Sequence, residues 1–191
     1  PYLHADDGDA EGCVAVTVAL PGPGAPRMAV ALDPSQPLGQ QVEQVHAMLV
    51  PGDRPAEEMM LWSERAHEYL TAEAWIEGEP PAWLRPGTEL LLIPSPASVV
   101  NELLLRLAQA DREVKKRTMF ELKRQLQSAS FSEEFISQDG ISAILALMDE
   151  HGTDGGAILA YSLAALRQTL SWQLGMDQFC DSEENVQRLF G

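Results

Sequence analysis

Thr88-Glu89-Leu90-Leu91-Leu92-Ile93-Pro94-Ser95-Pro96 is the stretch on which the reading of the fold turns. Leu90 to Ile93 are four consecutive apolar residues, which predicts a strand buried on both faces. Pro86-Gly87 supplies a turn ahead of it, and Pro94-Ser95-Pro96 marks a boundary behind it. Everything after that boundary reads helical.

Upstream, Val14, Val16, Val18 and Leu20 alternate with small or polar residues, the period-two pattern of a half-buried strand. Pro21-Gly22-Pro23-Gly24 breaks the strand, and Met28, Val30 and Leu32 alternate again, so a β-hairpin is expected. Pro37 suits a first helical position. Leu38, Val42, Val45 and Leu49 then form one apolar stripe, ended by Pro51-Gly52. Met59 to Trp62 reads as a third strand and Tyr69-Leu70 as a short fourth. Hairpin, helix and further strands ending in a buried one is the order of a ubiquitin-like β-grasp domain, expected over residues 13–94. Its last strand would lie centrally beside the first. Residues 1–12, with Asp6-Asp7-Gly8-Asp9, are expected to form a flexible lead-in.

Downstream, Val100, Leu103, Leu104 and Leu107 make one stripe, and Met119, Leu122 and Leu126 a second. Ile141, Ile144, Leu145 and Met148 make a third, closed by Gly152. Leu159, Leu163, Leu166 and Leu170 make a fourth, expected to end near Gly175. Met119, Leu122, Leu126 and Phe135 recur 44 residues later as Leu163, Leu166, Leu170 and Phe179. Ile141, Ile144 and Leu145 recur at 45 as Val186, Leu189 and Phe190. A helical period of roughly 40–47 residues is the signature of armadillo or HEAT arrays. The expected architecture is therefore α+β, a β-grasp domain followed by an all-α armadillo-like region at 97–191. That region is expected to be truncated, because its second copy stops at Gly191 as the last helix begins.

The 191 residues carry a net charge of −16. Residues 1–96 hold 4 basic and 15 acidic side chains, and the remainder 9 and 14. Nucleic-acid binding depends on neutralising phosphates, so so acidic a chain points away from nucleic acids and anionic membranes. No apolar run is long enough to span a bilayer, and no secretory signal is visible. Cys13 and Cys180 lack a CxxC companion and read as buried thiols of a reducing, cytoplasmic compartment. His4, His46, His67 and His151 are too dispersed for a metal site. No serine lies in a nucleophile-elbow context, and Pro21 to Gly24 lacks the Lys-Ser/Thr ending of a phosphate loop. The chain is thus expected to be no enzyme, with no cofactor and no metal, and to bind other proteins.

Phe135-Ile136-Ser137-Gln138-Asp139-Gly140-Ile141-Ser142 resembles the Phe-Ile-x-x-Asp-Gly-Ile-Ser turn between two armadillo helices of the engulfment and cell motility (ELMO) family. In this reading Gly140 permits the reversal, Ile141 starts the next buried face and Phe135 packs beneath it. Pro86-Gly87-Thr88 through Ser95-Pro96 is similar to that family's Asn-Gly-Thr, strand, Ser-Pro junction, with Pro86 in place of the asparagine. The N-terminal regulatory region of formins has a similar layout. The ELMO resemblance implies a Ras-binding domain that receives a Rho- or Arf-type small GTPase along its second strand, at Arg27, Met28, Ala29 and Val30. It also implies a link to a guanine-nucleotide exchange factor. The alternative is a purely structural subunit, or a fragment of one, in a cytoskeletal or ciliary assembly. A second partner surface is offered by Lys115, Lys116, Arg117, Lys123 and Arg124, which cluster on one predicted helix. They form either a contact for an acidic cytoskeletal protein or a solvated face paired with Glu113 and Glu121. Trp62, Trp75 and Trp83 read as core residues.

Overall fold

A computed structural model describes residues 12–50, 54–109, 111–152 and 156–190. Of the expected lead-in only Gly12 is described, and Pro51-Gly52 lies outside the described residues. The chain divides into two units, Pro1–Ser95 and Pro96–Gly191, the first mixed α+β and the second helical.

In the first unit, β1 (Val14–Ala19), β2 (Arg27–Leu32), β3 (Met59–Ser63), β4 (Glu68–Leu70) and β5 (Glu89–Pro94) form one sheet. Their order is β2-β1-β5-β3-β4. β1 runs antiparallel to β2 and parallel to β5, and β3 runs antiparallel to β5 and β4. Alternation puts Val14, Val16 and Val18 on one face. They share a buried core with Leu61, Leu90 and Leu92 and with the stripe Leu38, Val42, Val45 and Leu49 of α1 (Leu38–Leu49). Burial stabilises by roughly 1.5–3 kcal/mol for each such side chain. Buried Gln41 ties α1 to Asp33, the residue that follows β2: its side chain accepts from Asp33 N–H at 2.7 Å and donates to the Asp33 carbonyl at 2.9 Å.

The far face of the sheet corrects one expectation. Leu90 and Leu92 are fully buried, but Leu91 and Ile93 of β5 are only half-buried, opposite Trp62 and Met60 of β3. α1 packs on one side of the sheet, so a run of four apolar residues does not imply burial on both. Trp75 does enter the core, whereas Trp62 and Trp83 are half-buried.

The second unit begins with α2 (Pro96–Gln109) and continues as two matching sets of three helices. The first set is α3 (Arg112–Gln125), α4 (Ala129–Ser137) and α5 (Gly140–His151); the second is α6 (Ala157–Leu170), α7 (Gln173–Asp181) and α8 (Glu183–Phe190). α3 and α6 each have 14 residues, and α4 and α7 each have 9. Each helix of the first set packs against its counterpart, α3 on α6, α4 on α7 and α5 on α8. The core draws on both sets, with Met119, Leu122, Phe135, Ile144, Leu166 and Phe179 all buried.

Here too the structure departs from the sequence reading. The buried face of α6 is Ile158, Ser162, Ala165, Leu166 and Thr169; Leu163 is 47% exposed, and Leu159 and Leu170 are half-buried. α6 is pressed between α3 and α5, and small side chains let helices approach where leucines would hold them apart. Gly175 does not end that helix but sits buried within α7. The reversal before α5 is made by Asp139, at φ 60°, and not by Gly140. Gly140 lies beneath Phe135, whose ring an added Cβ would overlap. Both cysteines are free thiols, but neither is buried: Cys13 is half-exposed and Cys180 exposed.

Candidate functional site

The backbone of β1 decides what β2 presents to solvent. Thr17 N–H donates to the Thr88 carbonyl at 2.9 Å, and Gly87 N–H donates to the Ala15 carbonyl at 2.7 Å. The polar groups of Ala15 and Thr17 therefore face β5, and those of Val14, Val16 and Val18 face β2. The partners of these valines are Leu32, Val30 and Met28. By alternation, Arg27, Ala29 and Ala31 turn their N–H and C=O groups outward from the sheet. These three side chains are exposed, whereas Met28 and Val30 are half-buried and pack against the core. Of the four residues expected to bind a partner strand, Arg27 and Ala29 thus face outward and Met28 and Val30 inward. Ala31 completes the outward set; it was missed because composition gives no sign of which backbone groups are already bonded.

Lys115, Lys116, Arg117, Lys123 and Arg124, all on α3, do not form one patch. Lys115 is buried on the side of the helix that carries Thr118, Met119 and Leu122, and its Nζ lies 2.8 and 3.0 Å from the Glu150 carboxylate of α5. Lys116 and Arg117 both pair with Glu113, at 3.5 and 3.7 Å. Glu121 pairs instead with Arg106 of α2 at 3.3 Å. Lys123 and Arg124 are exposed.

The hydrogen bond from Lys115, helped by the adjacent His151, holds the Glu150 carboxyl below its ordinary pKa. A lowered folded-state pKa contributes stability above the unfolded value and loses it as pH falls through the folded one. Glu150→Gln is therefore expected to be less stable than the parent chain at neutral pH. The gap should close as pH drops below about 4.3, the ordinary glutamate range. Denaturant unfolding of both proteins across that range checks it, and a gap independent of pH would contradict the assignment.

A cleft of about 940 Å³ opens at one end of the sheet, where β1 and β3 end and β2 and β5 begin. Its ionisable lining is Arg27, Arg65 and Arg85 with Glu64 and Glu89. Arg65 stands in the β3–β4 turn, where buried Ser63 accepts Ala66 N–H on its Oγ at 3.1 Å and His67 N–H on its carbonyl at 2.8 Å. Arg85 opens the turn Arg85-Pro86-Gly87-Thr88, closed by Thr88 N–H to the Arg85 carbonyl at 2.9 Å with Gly87 at φ 84°. Pro at the second position and a positive φ at the third are the marks of a type II turn. Arg27 pairs with Glu89 at 3.6 Å, both side chains well exposed. Arg65 and Arg85 escaped the sequence reading, since only the strand order brings residues so distant in the chain together.

Among the described residues no group of histidines, cysteines and carboxylates could hold a metal ion, and no helix is long and apolar enough to cross a membrane. No family model matches the chain, and no curated protein matches it.

Proposed function

We propose that this chain is a non-catalytic scaffold or adaptor resembling ELMO proteins, a ubiquitin-like β-grasp domain at 13–94 joined to an armadillo-like array at 97–191. It works in the cytoplasm by recognising a GTP-loaded Rho- or Arf-type GTPase and linking that state to an exchange factor or the cytoskeleton. The order β2-β1-β5-β3-β4 with parallel β1 and β5 supports the first assignment, and the paired helical sets support the second. The observation that carries the function is the outer edge of β2, six residues long, whose outward backbone groups at Arg27, Ala29 and Ala31 have no hydrogen-bond partner among the described residues. Such an edge is a template for a partner's strand.

The test is binding of the intact chain to a GTPase panel, each loaded with GTP analogue or GDP. Ala29→Pro removes an outward N–H and leaves the β1–β2 ladder intact, a position where proline is tolerated. It is expected to weaken binding of the GTP form at least tenfold, with an unchanged circular dichroism spectrum. Val30→Asp would be a poor probe, since Val30 packs on the core. The absence of nucleotide-dependent binding across the panel would overturn this reading.

The structural-subunit alternative has its own support in the second unit. Forty-four residues after buried Met119, Ser132 and Ile136 stand Leu163, Met176 and Cys180, all exposed. The first set of helices is covered at these positions by the second, whose own equivalents remain open to a further helical layer. Stable, salt-resistant co-purification with filaments would favour this reading over the regulatory one.

A further inference from the structure

We propose that the arginine-lined cleft at the end of the sheet is a docking site for an extended peptide that inserts one aspartate or glutamate side chain beside an apolar residue. The cleft shares Arg27 with the β2 edge, but the proposal rests on Arg65 and Arg85 and stands without GTPase recognition along β2.

Charge placement is the first argument. Residues 1–96 contain only four cations, Arg27, Arg54, Arg65 and Arg85, against 15 acidic residues. Three of those four arginines line this one cleft, and among the described residues its acidic lining is Glu64 and Glu89. A locally positive hollow in a strongly negative unit favours an anionic group over the rest of the surface. The surrounding field repels a polyanion, which argues against nucleic acid and an anionic membrane as ligands. It does not prevent a single carboxylate from being held at contact range, because charges beyond about 8 Å are largely screened at physiological salt.

The state of each guanidinium is the second argument. Arg65 makes no hydrogen bond or ion pair with any described residue. Arg85 uses its Nε on the Ala82 carbonyl at 3.3 Å, and its terminal nitrogens have no described partner. Arg27 is engaged by Glu89, but an exposed pair at 3.6 Å is worth about 1 kcal/mol or less. A ligand carboxylate can take over that role and gain the bidentate geometry that guanidinium offers.

Rigidity and shape complete the case. Arg65 and Arg85 are carried on two hydrogen-bonded turns, so little loop ordering opposes binding. Half-buried Trp83, which packs against the core, and Leu91 give the cleft an apolar wall for the neighbouring residue of the peptide. The volume is that of a site for a few residues and is too small for a folded domain.

The experiment pans a displayed random-peptide library on the complete chain and counter-screens it on the Arg65→Gln/Arg85→Gln variant, both exposed positions. Selected peptides are then synthesised with each acidic residue kept or replaced by its amide. The expected result is an enriched Asp or Glu next to an apolar residue. Affinity should fall at least tenfold both on the double variant and with the amide peptide, and Ala29→Pro should leave it unchanged. Arg65→Gln alone should give an intermediate loss. Enriched peptides without an acidic residue, or equal binding to parent and double variant, would each overturn the proposal. Loss of peptide binding on Ala29→Pro would overturn its independence from the β2 edge.

Discussion

Gly175→Ala is expected to destabilise the helical unit by about 2 kcal/mol, although alanine is by about 1 kcal/mol the better helix former. Gly175 is the third residue of α7 and is buried. A Cβ built there overlaps the carbonyl oxygen of Thr169 and comes within 3.2 Å of Ile136 Cδ1. The isoleucine can rotate away, but the carbonyl cannot. Thr169 lies in the last turn of α6, is fully buried, donates from Oγ1 to the Ala165 carbonyl at 3.0 Å, and accepts Trp172 N–H at 3.2 Å. Retreat of its oxygen would unwind the corner that turns α6 into α7. Overpacking against backbone belongs at the upper end of the usual 1–3 kcal/mol range or beyond it, so it outweighs the propensity gain. Denaturant unfolding followed by far-ultraviolet circular dichroism reads the effect. Gly39→Ala in α1, where an added Cβ meets nothing within 4 Å, is the internal comparison and should be neutral or stabilising. Equal behaviour of the two variants would refute the close-approach argument.

The periodicities that the chain displays are those of its regular elements, and these were legible. Leu38, Val42, Val45 and Leu49 all reach the core, because a spacing of three and four places side chains on one helical face whatever they pack against. Val14, Val16 and Val18 do so for the matching reason in a strand. What failed was inference from apolar character about the neighbour. Leu91 is as apolar as Leu90, but which of them is covered depends on where α1 lies. Leu163 is as apolar as Leu166, but close helix packing on α6 selected Ser162, Ala165 and Thr169 for the interior.

Charged residues show the same limit more sharply. Lys115 to Arg124 look like one basic cluster along the chain, yet helical geometry turns Lys115 towards Glu150 and leaves Lys123 and Arg124 at the surface. Conversely, Arg27, Arg65 and Arg85 look unrelated and meet in one cleft. Strand order decides that meeting together with the turns that carry Arg65 and Arg85, and the element order suggested only that the last strand lies beside the first. The β2 edge occupies a middle position. Its place in the sheet was expected from the element order, but which backbone groups face solvent required the hydrogen-bond partners of β1.

Phe135→Ala is expected to lower the stability of the helical unit by about 3–5 kcal/mol, more than Gly175→Ala. Phe135 is fully buried, and its ring stacks on Phe131 with centroids 6.3 Å apart. The same ring lies over Gly140, where a built Cβ would overlap its Cε1 and Cζ atoms. Gly140→Ala alone should therefore cost about 2 kcal/mol, because the buried ring has no room to swing aside. With Phe135 already replaced by alanine the obstacle is gone and part of a cavity is available. There Gly140→Ala should be neutral or stabilising by up to about 1 kcal/mol, its ordinary effect in a helix. The cycle of parent, two single variants and the double variant should thus show a coupling of about 2 kcal/mol or more, measured by denaturant unfolding. The coupling separates two explanations of the same glycine. If the backbone needed Gly140 to turn, the penalty for alanine would persist whatever stood at 135, and the cycle would be additive. The positive φ belongs to Asp139, so Asp139→Gly should be tolerated or stabilising at the reversal itself. A strong coupling together with a tolerant Asp139 would mean that the ring selects the glycine and that its neighbour makes the turn.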